Sequence, residues 1–422
     1  MNYKKTTLKN GLRILTIPMS GTQTATVMVM VGVGGRHETE KQAGLSHFIE
    51  HMMFKGTEKR PTAQSISEEL DMVGGEFNAF TSADKTAYYA KVDARHVEKA
   101  LDVVSDIFLN SKLEQVEIDR ERGPILQELS MYQDDPRRSV GTEFEKMLYP
   151  EQPLGRELVG YRETIKSFER KDFIAYMKRN YNALETVVCV AGKFDEKKIL
   201  AQIKSYFADF QTGKKAQMKK VIEKQSVPQV HIKFKKTDQT HLIVGTRAYR
   251  QNHKDRYALA MLSIILGGNM SSRLFIKIRE RQGLAYFVHT SVDTYQDCGY
   301  IGTQAGVEHG KVEQTVTAIL EEYKKIATEK VEEKELQRAK DYVKGRAVMG
   351  FEASDDVAMF FIDQEMHKEK ILTPQEVFAK VDAVKVNDIL RVAKDIFVNK
   401  KLNCAIIGPH KNGKAIEKIL KI

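Results

Sequence analysis

Two stretches far apart in the chain read alike, and they set the architecture. IKSFERKDFIAYMKRNYNALETVVCVAG (165–192) aligns without a gap with VDAVKVNDILRVAKDIFVNKKLNCAIIG (381–408), at a constant offset of 216. Ile165 meets Val381, Asp172 meets Asp388, Phe173 meets Ile389, Tyr181 meets Phe397 and Gly192 meets Gly408. Each copy predicts an amphipathic helix, a polar turn, a buried apolar strand and a glycine stop. GPILQELSMYQDDPRRSV beside GRAVMGFEASDDVAMFF forms a second pair. Self-similarity of this kind means one domain used twice. The 422 residues, 42% of them hydrophobic, can fill two cores, since domains run to about 100–200 residues. A lysine-rich, weakly periodic stretch at 213–228 reads as a linker. The division expected is an N-terminal domain 1–212 and a C-terminal domain 229–422.

Within the first copy, TATVMVMVGVGG (24–35) is a β-branched run closed by glycines, hence a strand. AGLSHFIEHMMFKG follows as a helix ending at Gly56. PTAQSISEELDMVGG is a second helix, with Thr62 as N-cap and Gly74–Gly75 as the stop. EFNAFTSADKTAYYAKV gives two strands around a polar turn, and HVEKALDVVSDIFLN and EQVEIDRERGPILQELSMYQDD are two further helices. Strands and helices mix without strict βαβ alternation, so the fold class expected is α+β, with sheet and helices in layers.

Charge excludes some functions. The formal net charge is +10, but the lysines interleave with acids, as in EEYKKIATEKVEEKELQRAKDYVKGR. Such stretches are solvated helix faces, and no nucleic-acid partner is expected. The three cysteines, Cys189, Cys298 and Cys404, are odd in number and form no CxxC, which argues against a disulfide framework and a cysteine zinc site. The opening segment MNYKKTTLKNGLRILTI has neither a secretory apolar core nor an Arg/Ser-rich presequence, and no run of about 18 apolar residues occurs. A cytoplasmic protein without a membrane partner is the expectation.

The chemistry concentrates in HFIEH, residues 47–51, in a chain with only 11 histidines. Residues at i and i+4 of a helix stand one above the other, so His47 and His51 face the same way and can grip one ion. Two imidazoles suit zinc, and Glu50 beside them can take a proton from a zinc-bound water. HxxEH is the inverted form of a zinc-peptidase motif. A catalytic zinc wants a third protein ligand and an open position. ERGPILQE supplies two candidates, Glu121 and Glu128, seven apart on one helix face, with Gly123–Pro124 between them expected to kink the helix. Spacing alone leaves both glutamates open.

GLSHFIEHMMFKGT, then GGEFNAFTSADKTAYY, then ERGPILQELSMYQDDP, together resemble the pitrilysin/insulinase family of zinc metallopeptidases. The length of one repeat pair resembles its mitochondrial processing peptidase-like branch. The resemblance implies two homologous domains, each a mostly antiparallel sheet packed with helices, forming half of a clamshell. It implies that Glu128, 77 residues after His51, is the third metal ligand, and that Glu121 is an acid orienting the site from behind. Asn78, Ala79 and Phe80 match the family's edge strand, to which an extended peptide adds. The second half has no HxxEH, but in SSRLFIKIRERQGLAYFVHT Arg279 and Tyr286 match an Arg/Tyr pair that steadies the oxyanion, with Arg273 and Arg281 as lesser candidates. The implied activity is zinc-dependent cleavage of unfolded peptides, one zinc per chain, by a homodimer or a heterodimer with a related chain. The alternative, a non-catalytic scaffold or chaperone-like subunit of the same fold, characteristically loses part of HxxEH, which is complete here. Gly123–Pro124 departs from the helix formers expected at the metal-bearing helix.

Overall fold

The structure, a computed structural model, describes residues 1–367 and 370–422. Six strands form the first sheet: β1 (Lys4–Thr7), β2 (Arg13–Pro18), β3 (Thr24–Val31), β4 (Glu76–Thr81), β5 (Thr86–Asp93) and β6 (Thr186–Gly192). Their order is β1-β2-β6-β3-β5-β4. Five strands form the second: β7 (Gln229–Phe234), β8 (Thr240–Ala248), β9 (Ala285–Thr294), β10 (Gly299–Val307) and β11 (Leu402–Gly408), in the order β7-β11-β8-β10-β9. Leaving out β1, the two orders are the same path through space. In each sheet one pair is parallel, β2 with β6 and β7 with β11, and the remaining pairs are antiparallel. The fold is therefore α+β, with two similar, mostly antiparallel sheets packed with helices.

The helices that matter here are α1 (Leu45–Met52), α2 (Ala63–Asp71), α3 (Val97–Asn110), α4 (Gln115–Asp134), α5 (Pro136–Leu148), α6 (Arg170–Asn180), α7 (Arg256–Gly267), α8 (Val312–Thr328), α9 (Glu333–Gly350), α10 (Ser354–Met366) and α11 (Val386–Ile396). The repeat read from the sequence has the same offset in three dimensions. Helices α6 and α11, and strands β6 and β11, begin and end 216 residues apart. Thr62 caps α2, its hydroxyl accepting from Ser65 N–H at 3.1 Å. Residues 211–228 contain no helix or strand.

The chain forms two compact units that are discontinuous in sequence. One comprises Met1–Leu129, Arg156–Lys219 and Arg346–Gln375; the other comprises Ser130–Gly155, Lys220–Gly345 and Glu376–Ile422. The sheets fall on either side of the linker, but each half lends a helix to the other half's sheet. Helix α10, from the second half of the sequence, packs on β6, β3 and β2. Its Val357, Phe361 and Ile362 close a core with Leu15, Met28, Met30 and Val187, all nearly inaccessible. Its polar side is fastened as well. Ser354 Oγ lies 2.8 Å from Thr26 Oγ1, Glu365 accepts from Lys5 Nζ at 2.7 Å, and Asp363 pairs with Lys85. Helix α5, from the first half, packs on β11, β8 and β7. There Phe144 stacks edge-on against Tyr300 at 5.4 Å, and Gly245 leaves it room, since a Cβ at 245 would stand 3.0 Å from the ring. Glu143 is held by Lys233 Nζ at 2.9 Å and His231 Nε2 at 3.0 Å.

Candidate metal centre

Helix α1 begins where the chain can turn sharply. Gly44 has φ of 93°, and a Cβ there would come within 2.4 Å of the Val159 carbonyl. The orphan amides of the first turn are taken by one buried carboxylate: Glu38 accepts from Gly44 N–H at 2.8 Å and Ser46 N–H at 2.6 Å. Burial pushes the Glu38 carboxyl up to about 7, against the pull of those amides. The apolar face of α1 anchors it. Phe48, fully buried, meets Phe173 edge-on at 5.0 Å.

That anchoring turns His47 and His51 toward α4. Their ring centroids lie 4.7 Å apart. Glu128 Oε2 is 3.5 Å from His47 Nε2 and 3.3 Å from His51 Nε2. Donors about 2.1 Å from a shared tetrahedral zinc stand about 3.4 Å apart, so the spacing fits such an ion. All three donor atoms lie within 4.8 Å of one another, and among the described residues no other His, Cys, Asp or Glu group converges in this way. His47 is 7% exposed and its Nδ1 is buried without a partner, leaving Nε2 as the atom presented to the site.

The two glutamates of α4 divide their work. Glu121 Oε1 is 2.9 Å from His51 Nδ1, the far side of the ring, and its Oε2 is 2.5 Å from Lys55 Nζ. An acid on the far ring nitrogen fixes the tautomer and orientation of a metal-binding histidine. Burial works against ionised Glu121, but the hydrogen bonds and charges of His51 and Lys55 outweigh it and hold its carboxyl below the usual range. Burial likewise disfavours a charged His51, and Glu121 and Glu128 override it, raising that ring to about 9.

Helix α4 runs unbroken from Gln115 to Asp134 with Pro124 inside it, so Gly123–Pro124 does not divide the helix. The reason is placement. Gly123 and Pro124 are exposed, whereas Ile118, Glu121, Ile125 and Leu129 are buried along the opposite side. The Arg120 carbonyl, which Pro124 cannot bond, lies at an exposed residue and can turn to water.

Glu50 sits on the same helix and accepts a hydrogen bond from Thr81 Oγ1 at 2.5 Å. Thr81 ends β4, the edge strand that pairs only with β5, Asn78 opposite Tyr89, Ala79 opposite Tyr88 and Phe80 opposite Ala87. The unpaired side of β4 thus runs to a residue that touches Glu50. Arg279 and Tyr286 belong to the other unit. Arg279 lies in a π-helical stretch, Phe275–Arg281, with its guanidinium 4.8 Å from the Phe275 ring and 4.6 Å from the Tyr286 ring. Tyr286 is 79% exposed. Arg273 is committed to a two-pronged ion pair with Glu335, at 2.8 and 2.6 Å, while Arg281 is exposed.

Three contributors escaped the sequence reading: Glu38, Lys55 and Thr81. Lys55 stands four residues after His51, a spacing that could have suggested a shared face. Nothing local marks Glu38 or Thr81.

The chain has counterparts among known proteins. Residues 13–162 match the family model for insulinase, peptidase family M16, and residues 167–343 match that for the peptidase M16 inactive domain. An uncharacterized zinc protease of Rickettsia felis is 36% identical over 415 residues, 97% of this chain and 98% of its own length. The uncharacterized zinc protease YmxG of Bacillus subtilis is 32% identical over 413 residues, 97% and 99% of the two chains. The crystal structure of a protease from Helicobacter pylori superposes with a TM-score of 0.89 at 24% identity, over 97% of this chain and 99% of that one, a likeness of fold. With relatives this similar along nearly the full length, the chain belongs to the peptidase M16 family.

Proposed function

We propose that this protein is a zinc-dependent endopeptidase acting on unfolded peptides. The observation that carries the reading is the convergence of His47 Nε2, His51 Nε2 and Glu128 Oε2, with Glu50 one residue away on the same helix. The relatives' names as zinc proteases support zinc as the ion. His47, His51 and Glu128 would hold it. When bound, zinc acidifies a water in its open position and polarises the scissile carbonyl. Glu50 takes the proton of the attacking water and delivers it to the leaving amine. Thr81, donating to Glu50 Oε2, aims that carboxylate. An extended substrate adds to β4 along Asn78, Ala79 and Phe80, held by main-chain bonds that any sequence can make. Arg279 and Tyr286, the first already stacked on the second, supply the donors for the oxyanion.

The deciding experiment is cleavage of a quenched peptide by the purified chain. Activity that a chelator removes and zinc restores is the expected outcome. A zinc-loaded preparation that cuts no peptide would favour the scaffold reading. For the assembly we propose a homodimer in which Arg279 and Tyr286 serve the zinc of the second copy, because one chain carries one repeat pair. Mixing a Glu50→Gln chain with an Arg279→Ala chain should regain activity. Mixed dimers that stay inactive would refute action across subunits.

A further inference from the structure

Helix α1 carries two of the three metal donors but has no capping side chain of its own, because its N-cap is Gly44. Glu38 caps it from outside. The carboxylate spans the first turn, Oε2 accepting from Gly44 N–H at 2.8 Å and Oε1 from Ser46 N–H at 2.6 Å. The Ser46 hydroxyl adds a third bond, and it lies 2.9 Å from Tyr176 Oη on α6. The Glu38 carbonyl is held in turn by Arg156 Nη1 at 2.8 Å. At 5% exposure, Glu38 meets little competition from water for these bonds. His47 follows Ser46 directly, so it projects from the turn that Glu38 holds. Its ring has no other support of the kind His51 enjoys. Glu121 backs His51 at Nδ1, whereas His47 Nδ1 is buried and finds no hydrogen-bond partner among the described residues. The backbone of the first turn is therefore what aims His47.

Taking His47, His51 and Glu128 as the metal ligands of the proposed function, we infer that Glu38 is a positioning residue of the metal centre, whose ionised carboxylate fixes the first turn of α1 and thereby aims His47 at the ion. Only the ionised group holds both amides, because it offers an acceptor on each oxygen. A neutral acid carries a proton on one oxygen, where it faces an amide hydrogen, and one of the two bonds opens. Burial opposes ionisation of Glu38 more than the Ser46 and Gly44 amides, the Ser46 hydroxyl and the Arg156 charge favour it, and pushes the carboxyl up to about 7. The neighbouring titratable groups keep their charge across that value. Burial raises Tyr176 well above the usual tyrosine range, and it pushes His37, on the same segment as Glu38, down to about 4. Arg156, and Arg179 beside Tyr176 and His37, stay protonated. A carboxyl raised in the fold from 4.5 to about 7 contributes stability below 4.5 that is lost as the pH rises through 7. Ionised Glu38 is thus kept at some expense to the fold, as perturbed groups at working sites are. The hold on the ion strengthens as Glu38 ionises.

The test is the zinc affinity of the metal-depleted full chain and of its Glu38→Gln variant, read by competition with a chelator. Gln keeps the size and one acceptor but carries no charge. At about pH 8.5 the variant should bind zinc about 10–100-fold more weakly than the wild type. At about pH 5.5, where wild-type Glu38 is neutral too, the two should agree within about 4-fold. Proton competition at His51 and Glu128 is common to both chains and cancels in the ratio. A second readout needs no variant, and so stays decisive if Glu38→Gln does not fold. Hydrogen exchange of amides 44–48 in the metal-depleted wild type, corrected for the intrinsic rate, should quicken at least about 5-fold from about pH 8.5 to about pH 5.5, with α2 unchanged. The same affinity ratio at both pH values, no difference at either, or exchange in 44–48 that ignores pH would each overturn the inference while leaving the metal reading standing. A wild-type chain that takes up no zinc at either pH would sink the metal reading and this inference with it.

Discussion

The first helix after β3 and the first helix after β8 occupy the same step of the repeated fold, and they have diverged completely in chemistry. Helix α1 spends eight residues on two histidines and a glutamate, buried by Phe48, Ile49 and Met52 on one side. Helix α7 has twelve, RYALAMLSIILG, and buries Leu259, Met261, Leu262, Ile265 and Leu266 instead. No metal donor survives there. The sheet beneath keeps its strand order in both cases. The architecture tolerates either helix, so the site is a local graft and the fold alone does not confer it.

If the comparison is right, its largest test is loss of one ligand. His47→Ala should abolish metal binding and reduce peptide cleavage to the level of the chelated wild type, measured alongside metal content. Glu50→Gln should separate the two properties. Cleavage should fall by about 10²–10⁴-fold, the usual worth of a general base, while metal content stays at the wild-type level. A variant that loses both would show that Glu50 acts as a ligand.

The exchanged helices sharpen the comparison further. Phe361, wholly buried, lies in the second half of the sequence but completes the sheet of the first unit. Phe361→Ala should cost about 3–5 kcal/mol in denaturant unfolding. A fragment ending at residue 219 should not fold, because it lacks α10. A smaller effect belongs to Glu121→Gln, which leaves all three donors in place but weakens the hold on His51. Zinc affinity should fall by about 10–100-fold.

The smallest effect is a pH dependence. Burial disfavours ionised Glu143, but hydrogen bonds from His231 and Lys233, with the Lys146 charge, outweigh it and hold its carboxyl at about 2, against 4.5 unfolded. A depressed folded value stabilises above pH 4.5, and that contribution drains away as the pH falls toward 2. Asp363 on α10 is depressed in the same sense: burial opposes ionisation, but His367 and Lys85 outweigh it. Acid should therefore loosen both exchanged helices. Replacing Glu143 with Gln should flatten the acid limb of the melting temperature for its own unit.

The sequence exposed the repeat because helix and strand recur at one fixed offset, and it exposed HxxEH because the motif is local. The exchange of α5 and α10 stayed hidden. An amphipathic pattern says that a face is buried, not which sheet buries it. Glu121 and Glu128 are equivalent by spacing; only packing of Ile118, Ile125 and Leu129 shows that one faces Nε2 and the other Nδ1. Thr81 and Glu38 reach α1 across 31 and 8 residues respectively, contacts no local rule encodes.

The most direct measurement is zinc titration of the metal-depleted full chain beside its Glu128→Gln and Glu121→Gln variants. The account predicts one tight site per chain, lost with Glu128→Gln and weakened but present with Glu121→Gln. Zinc uptake unaffected by Glu128→Gln would contradict it.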